Sequence, residues 1–184
     1  MSINPIFFAA AAPTGVKEIT IKSPAFSYKK MIPKKYTADG ANINPSLILR
    51  NIPDETQSMV LLMEDPDAPI DTWVHWLVWN IHPSTKINED SIPGIEGLNA
   101  FRQHHYGGPC PPSGTHHYFF KVYALDTFLD LSPNSSKREV MRAIKDHVVG
   151  YGELVGSYNR NQKVSLTLDP LLNTYRLPVY NSYI

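Results

Sequence analysis

The run Trp73-Val74-His75-Trp76-Leu77-Val78-Trp79-Asn80 decides how this chain folds. From Thr72 to Ile81 apolar residues fill both alternating registers, and His75 interrupts one of them. Strand side chains alternate between faces, so this pattern predicts a strand buried on both sides, as at the centre of a sandwich. His116 to Leu125 predicts a second. There His116, Tyr118, Phe120, Val122 and Ala124 share one face, and Lys121 marks the opposite face as nearer to solvent.

Working outward, Ser46 to Ile52 and Ser58 to Glu64 are apolar runs of strand length separated by Pro53-Asp54-Glu55, and Lys17 to Ile21 suits a first short strand. Tyr36 to Asn42 reads as a turn in which Asp39-Gly40 supplies a positive φ. One helix is predicted, Ser136 to Val149, with a capping box at Ser136 and Glu139, an apolar stripe at Val140, Ile144 and Val148, and Gly150 to end it. Strands in unbroken succession with one late helix predict an all-β fold with few helices: an antiparallel β-sandwich carrying one amphipathic helix near its C-terminal end.

Composition sets the outer bounds. A chain of 184 residues, 42% hydrophobic and 18% charged, suits a single globular domain, 1–184, with an N-terminal arm at 1–16 and a C-terminal extension at 161–184. Its 17 basic residues balance 17 acidic ones, which argues against a phosphate-tracking nucleic-acid binder. Cys110 is the single cysteine, so there is no intrachain disulfide and no cysteine-rich zinc site, and a cytoplasmic location is expected. The opening run Ile6 to Pro13 vaguely resembles a signal sequence but lacks a basic flank, which leaves secretion as the lesser alternative. No apolar run approaches the roughly 18–20 residues of a membrane-spanning helix. The extension alternates Val164, Leu166 and Leu168 with polar residues and continues with Leu171, Leu172, Tyr175 and Leu177. An ordered arm over the same sandwich or across a two-fold homodimer is expected.

Two stiff segments carry the chemistry. Asp65-Pro66-Asp67-Ala68-Pro69 leaves a buried strand through two prolines, and Ala68-Pro69 is a candidate cis peptide. Gly107-Gly108-Pro109-Cys110-Pro111-Pro112-Ser113-Gly114 enters the strand that begins at His116. The backbone N–H groups of Gly107, Gly108 and Cys110 are candidate anion donors, with His116 and Tyr118 projecting beside them. Asp65 close to an imidazole would favour its protonated form, which could hold a phosphate. Taken singly, Asp65 could merely cap its own turn and His75 could be a neutral core residue. His116 and His117 point to opposite faces, so they do not suit one metal ion. Nucleophile-elbow, phosphate-loop and dinucleotide glycine motifs are absent from the sequence.

In their order, Asp-Pro-Asp-Ala-Pro at 65–69, Trp-x-His-Trp at 73–76 and Gly-Pro-x-Pro-Pro-x-Gly-x-His-x-Tyr at 108–118 resemble the phosphatidylethanolamine-binding protein family, the family of Raf kinase inhibitor protein. The Gly-Gly-Pro-Cys-Pro-Pro form and Val122-Tyr123-Ala124-Leu125-Asp126 are similar to its bacterial and archaeal branch. This resemblance implies a β-sandwich with a small cavity for phosphate-like and carboxylate anions, including phospholipid head groups. Carried over, the pocket is Asp65, Pro69, His75, Gly108, Pro109, His116 and Tyr118. His117 stands where animal members often have arginine, which puts that arginine's salt bridge in question here. The expectation is a binding protein that needs no cofactor and performs no chemical step, with a kinase or other protein partner implied by the family alone. The alternative is a hydrolase or lyase using Asp65 and His75 as an acid–base pair.

Overall fold

The structure is a computed structural model and describes residues 15–160. The expected N-terminal arm falls almost wholly outside these residues, as does the whole extension from 161 to 184. Besides a 3-10 turn at Lys34–Tyr36, nine strands and one α-helix follow in order among the described residues: β1 Lys17–Glu18, β2 Thr20–Lys22, β3 Leu47–Arg50, β4 Ser58–Asp65, β5 Trp73–Ile81, β6 Lys86–Ile87, β7 Ile95–Glu96, β8 His116–Leu125, α1 Lys137–Ala143 and β9 Val148–Tyr158. A six-stranded sheet in the order β1-β9-β8-β4-β5-β7 faces a three-stranded sheet in the order β2-β3-β6. Every pairing is antiparallel except β1 with β9.

The sandwich is visible in its cores. Ile21, Leu47, Leu49 and Ile87 of the small sheet pack against Met59, Leu61, Met63, Trp76, Val78, Phe120 and Val122 of the large one. On the outer face, Val60, Leu62, Leu77 and Trp79 meet Leu129, Val140 and Ile144 beneath α1. β4 therefore sends alternate side chains into two cores, and all eight of its residues are buried. Buried Glu64, on the outer face of β4, is held by Lys121 Nζ at 2.5 Å and by Lys137 Nζ from the first residue of α1. Burial opposes its ionisation, but the two lysines prevail and hold the carboxyl below the usual glutamate range.

The sequence expectation for the helix is right at its start and wrong at its end. The Ser136–Glu139 capping box forms, but α1 stops at Ala143, and Val148 opens β9 opposite Leu125. Asp126 Oδ1 and His147 Nδ1 meet at 2.9 Å across this corner, where the chain turns back onto β8. Three glycines within β9 obscure its strand character in the sequence. At Gly152 a Cβ would sit 2.1 Å from the Ile19 carbonyl oxygen, so the close crossing of the N-terminal strands excludes a side chain there. The first strand is split in two at Ile19, and in the 36–42 turn the positive φ belongs to Asn42 rather than Gly40. Ala68-Pro69 is trans, since no cis peptide bond occurs among the described residues.

Candidate functional site

β4 and β5 lose register between Met63 and Glu64: Met63 pairs with Trp76, but Glu64 pairs with Val74. His75 is the extra residue of this bulge. A bulge re-aims the side chain it carries. Val74 packs towards the outer core while Trp76 packs in the inner one, two residues that unbroken alternation would place on one face. The His75 ring consequently lies 5.2 Å from that of Tyr118, at 81°, and 5.5 Å from that of Phe101, at 71°.

Around this bulge lies a cleft of about 210 Å³ lined by Asp65, Ala68, Pro69, Trp73, His75, Phe101, Cys110, Pro111, Pro112 and His116. Asp65, at the end of β4, accepts the Asp67 N–H on Oδ1 at 2.9 Å and meets His116 Nδ1 through Oδ2 at 2.7 Å. It thus caps its own turn and orients one imidazole. His75 Nδ1 lies 2.7 Å from the Gly107 carbonyl oxygen. A carbonyl only accepts, so Nδ1 carries the proton and Nε2 is the remaining polar atom of the ring. Burial lowers the pKa of His75, with the Gly107 bond and the Asp65 charge pulling the other way. Tyr118 is fully buried, and its hydroxyl has no hydrogen-bond partner among the described residues. Asp65 and the Cys110 backbone are its polar neighbours, and burial raises its pKa. The Cys110 thiol is likewise pushed up by burial, away from thiolate.

The seven expected positions divide into two groups. Asp65, Pro69, His75 and His116 line the cleft, with Tyr118 packed edge-on beneath His75. Gly108 and Pro109 do not line it. The Gly108 N–H donates to Asn42 Oδ1 at 2.7 Å, and the Pro109 carbonyl accepts the Ala38 N–H at 3.1 Å, so both brace the loop against the 36–42 turn. The Gly107 N–H is also spent, on the His75 carbonyl at 3.0 Å, which removes two of the three backbone donors expected for an anion. Asp65 bonds to His116 and not to His75, so the proposed Asp65–His75 acid–base pair is not the pair that forms. His117 makes its own contact in place of the arginine: its N–H and its Nδ1 both reach Asp67 Oδ2, at 2.8 and 2.7 Å, clipping the 65–69 turn to β8.

The motifs do not mark Trp73 or Phe101 as site residues. They stack edge-to-face at 5.4 Å and give the cleft an apolar side. Phe101 sits in a loop without periodicity, and only Gly107, whose Cβ would lie 2.7 Å from the Phe101 ring, hints at its place.

A wider groove of about 610 Å³ includes Asn44, Glu96 and Tyr106 in its lining. The polar atoms of these three are engaged, Asn44 with Asn88, Glu96 with the Trp76 indole and the Tyr106 hydroxyl with the Tyr36 carbonyl.

Residues 22–159 match the family model for phosphatidylethanolamine-binding protein. The chain belongs to the phosphatidylethanolamine-binding protein family. Over 159 residues it is 45% identical to a UPF0098 protein of Pyrococcus horikoshii, covering 79% of this chain and 80% of the relative. A crystal structure of a phosphatidylethanolamine-binding protein homologue from Chlamydia trachomatis superposes with a TM-score of 0.74 at 36% identity, over 80% of this chain and all of the other. E. coli YbcL, described as a member of the mammalian family, gives a TM-score of 0.72 at 29% identity, over 77% and 98% of the two chains. No helix among the described residues is long and apolar enough to cross a membrane.

Proposed function

We propose that this family member is a binding protein whose 65–118 cleft receives a single phosphoryl or carboxylate group, free or as part of a phospholipid head group, without a chemical step. One observation carries the reading: the fully buried Tyr118 hydroxyl, with Asp65 and the Cys110 backbone as its polar neighbours, has no well-formed hydrogen bond among the described residues, beneath a cleft lined by two imidazoles, each with Nδ1 already spent. A buried polar atom left unpaired costs roughly 1–3 kcal/mol, and a bound oxygen atom would relieve that cost. The Cys110 N–H and the His116 ring, held by Asp65, complete the polar wall. Trp73 and Phe101 supply an apolar side beside it.

Binding without chemistry is favoured because the cleft offers no activated nucleophile: burial keeps the Cys110 thiol protonated. Isothermal calorimetry with inorganic phosphate, phosphoethanolamine and acetate tests the reading. Saturable binding by the wild type, weakened by Asp65→Ala, is expected. Absence of binding for all three removes it, and turnover of a phosphate- or carboxylate-ester panel would favour the hydrolase alternative.

A further inference from the structure

The wall of the cleft formed by Cys110, Pro111 and Pro112 belongs to a loop that depends on its neighbours for its shape. Pro109, Pro111 and Pro112 have no backbone N–H, so the stretch has few donors of its own, and its carbonyls need donors from elsewhere. Two segments supply them. The Ala38 N–H, in the 36–42 turn, donates to the Pro109 carbonyl at 3.1 Å. From the end of β9, Arg160 donates from Nη1 to the Pro111 carbonyl at 3.5 Å, and the Asn159 side-chain amide donates to the Thr115 hydroxyl at 3.1 Å. These two segments are also tied to each other. Asp39, next to Ala38, accepts Arg160 Nε on both carboxylate oxygens, at 3.1 and 3.0 Å, and the Tyr158 hydroxyl on Oδ2 at 3.0 Å. The Arg160 guanidinium holds the Asp39 carboxyl below the usual aspartate range, so the pair stays charged at neutral pH. Cys110, whose N–H is the remaining backbone donor of the proposed anion site, lies between the two anchored carbonyls.

We propose, resting on the anion-site reading above, that the Asp39–Arg160 pair positions the Cys110–Pro112 wall, and with it the Cys110 N–H, for the bound anion. Neither residue lines the cleft. Both line a separate groove of about 600 Å³ together with Met31, Lys34 and Tyr158, so they act through the wall and not on the ligand. The Arg160 and Asp39 side chains are 42% and 29% exposed, and an ion pair so placed adds little to global stability. What it supplies is geometry. Nε spans both carboxylate oxygens while Nη1 reaches Pro111, a planar fork that a lysine ammonium does not reproduce. The two charges also separate positioning from a simple field effect. Through the field alone, Asp39 would repel a bound anion and Arg160 would attract it. Positioning requires both residues.

Calorimetry of the full chain with inorganic phosphate at neutral pH separates these roles. Asp39→Asn removes the repelling charge and should nonetheless weaken phosphate binding about fivefold, the weight of one hydrogen bond to the anion losing its alignment. Arg160→Lys keeps the charge, loses the fork and should weaken binding to a similar extent. A variant carrying both substitutions should bind no more weakly than the weaker single variant, because the two residues act as one unit. Melting temperatures of all three should stay within about 4 °C of the wild type. In amide spectra of the unliganded proteins the Cys110 resonance should move in each variant. If Asp39→Asn does not fold, Arg160→Lys and its Cys110 resonance decide the matter. Three results overturn the positioning role and leave the anion site standing: Asp39→Asn binding phosphate as tightly as the wild type or more tightly, Arg160→Lys binding it unchanged, or affinity falling only alongside a melting-temperature loss well beyond about 4 °C. Failure of the wild type to bind phosphate overturns the site itself.

Discussion

Asp65 Oδ2 and His116 Nδ1 meet at 2.7 Å, joining the last residue of β4 to the first of β8 where both strands open onto the cleft. Both residues are buried, so truncating one leaves the other's polar atom without a partner. Asp65→Ala is expected to cost about 1–3 kcal/mol in urea unfolding and to weaken phosphate binding at least about tenfold. Unchanged stability together with unchanged affinity would show that the pair neither braces the site nor orients His116.

The clamp of Glu64 by Lys121 and Lys137 fixes α1 to the sheet, and its pH dependence has a definite sign. Because the folded carboxyl titrates below its unfolded value, the unfolded chain binds the proton more readily. The contribution is fully present above the unfolded pKa of about 4.3 and is lost as pH falls through the lower folded value. Denaturant melts between pH 6 and pH 3 should show a steeper loss for the wild type than for Glu64→Gln. Parallel curves would deny the clamp its role.

His75 carries the same sign for a different reason. Burial lowers its folded pKa, so protons bind the unfolded chain first as pH drops below about 6.5. Stability should be complete above that value and decline down towards the lowered folded pKa. His75→Asn should flatten this part of the stability curve in thermal melts from pH 7.5 to 5. An identical slope in the variant would place the titration elsewhere.

Gly108 and Gly114 offer a paired test of the loop. At Gly108 a Cβ would meet Asn42 Oδ1, Thr37 Cα and the Tyr36 carbonyl oxygen, all at 2.7 Å, and two of these belong to backbone. Alanine there should cost about 1–3 kcal/mol and loosen the Cys110–Pro112 wall of the cleft. At Gly114, with φ of +69° and open space around it, alanine should cost only about 1 kcal/mol through backbone strain and leave binding unaltered. Comparing the two variants' melting temperatures and phosphate affinities separates packing from strain.

Much of this architecture can be read in the residues. β8 begins and ends where the alternation from His116 to Leu125 places it, and the two-sided apolar pattern of β5 does report burial on both faces, although the strand lies next to the sheet edge and not at its centre. β9 escapes because its glycines answer to chains crossing above it and not to its own strand preference. The candidate site divides in the same way. The motifs name Asp65, Pro69, His75 and His116, but alternation alone puts His75 on the face opposite Trp76, and only the bulge against Met63 and Glu64 turns it to the cleft. The spending of the Gly107 and Gly108 N–H groups depends on partners far away in the chain, such as Asn42, that no local pattern announces.

The most direct measurement is a crystal structure of the protein soaked with phosphate at neutral pH. The account predicts one phosphate in the 65–118 cleft, with its oxygens within about 3.2 Å of the Tyr118 hydroxyl, His116 Nε2 and His75 Nε2. A cleft without phosphate at full occupancy elsewhere, for example in the groove between Asn44 and Tyr106, would contradict it.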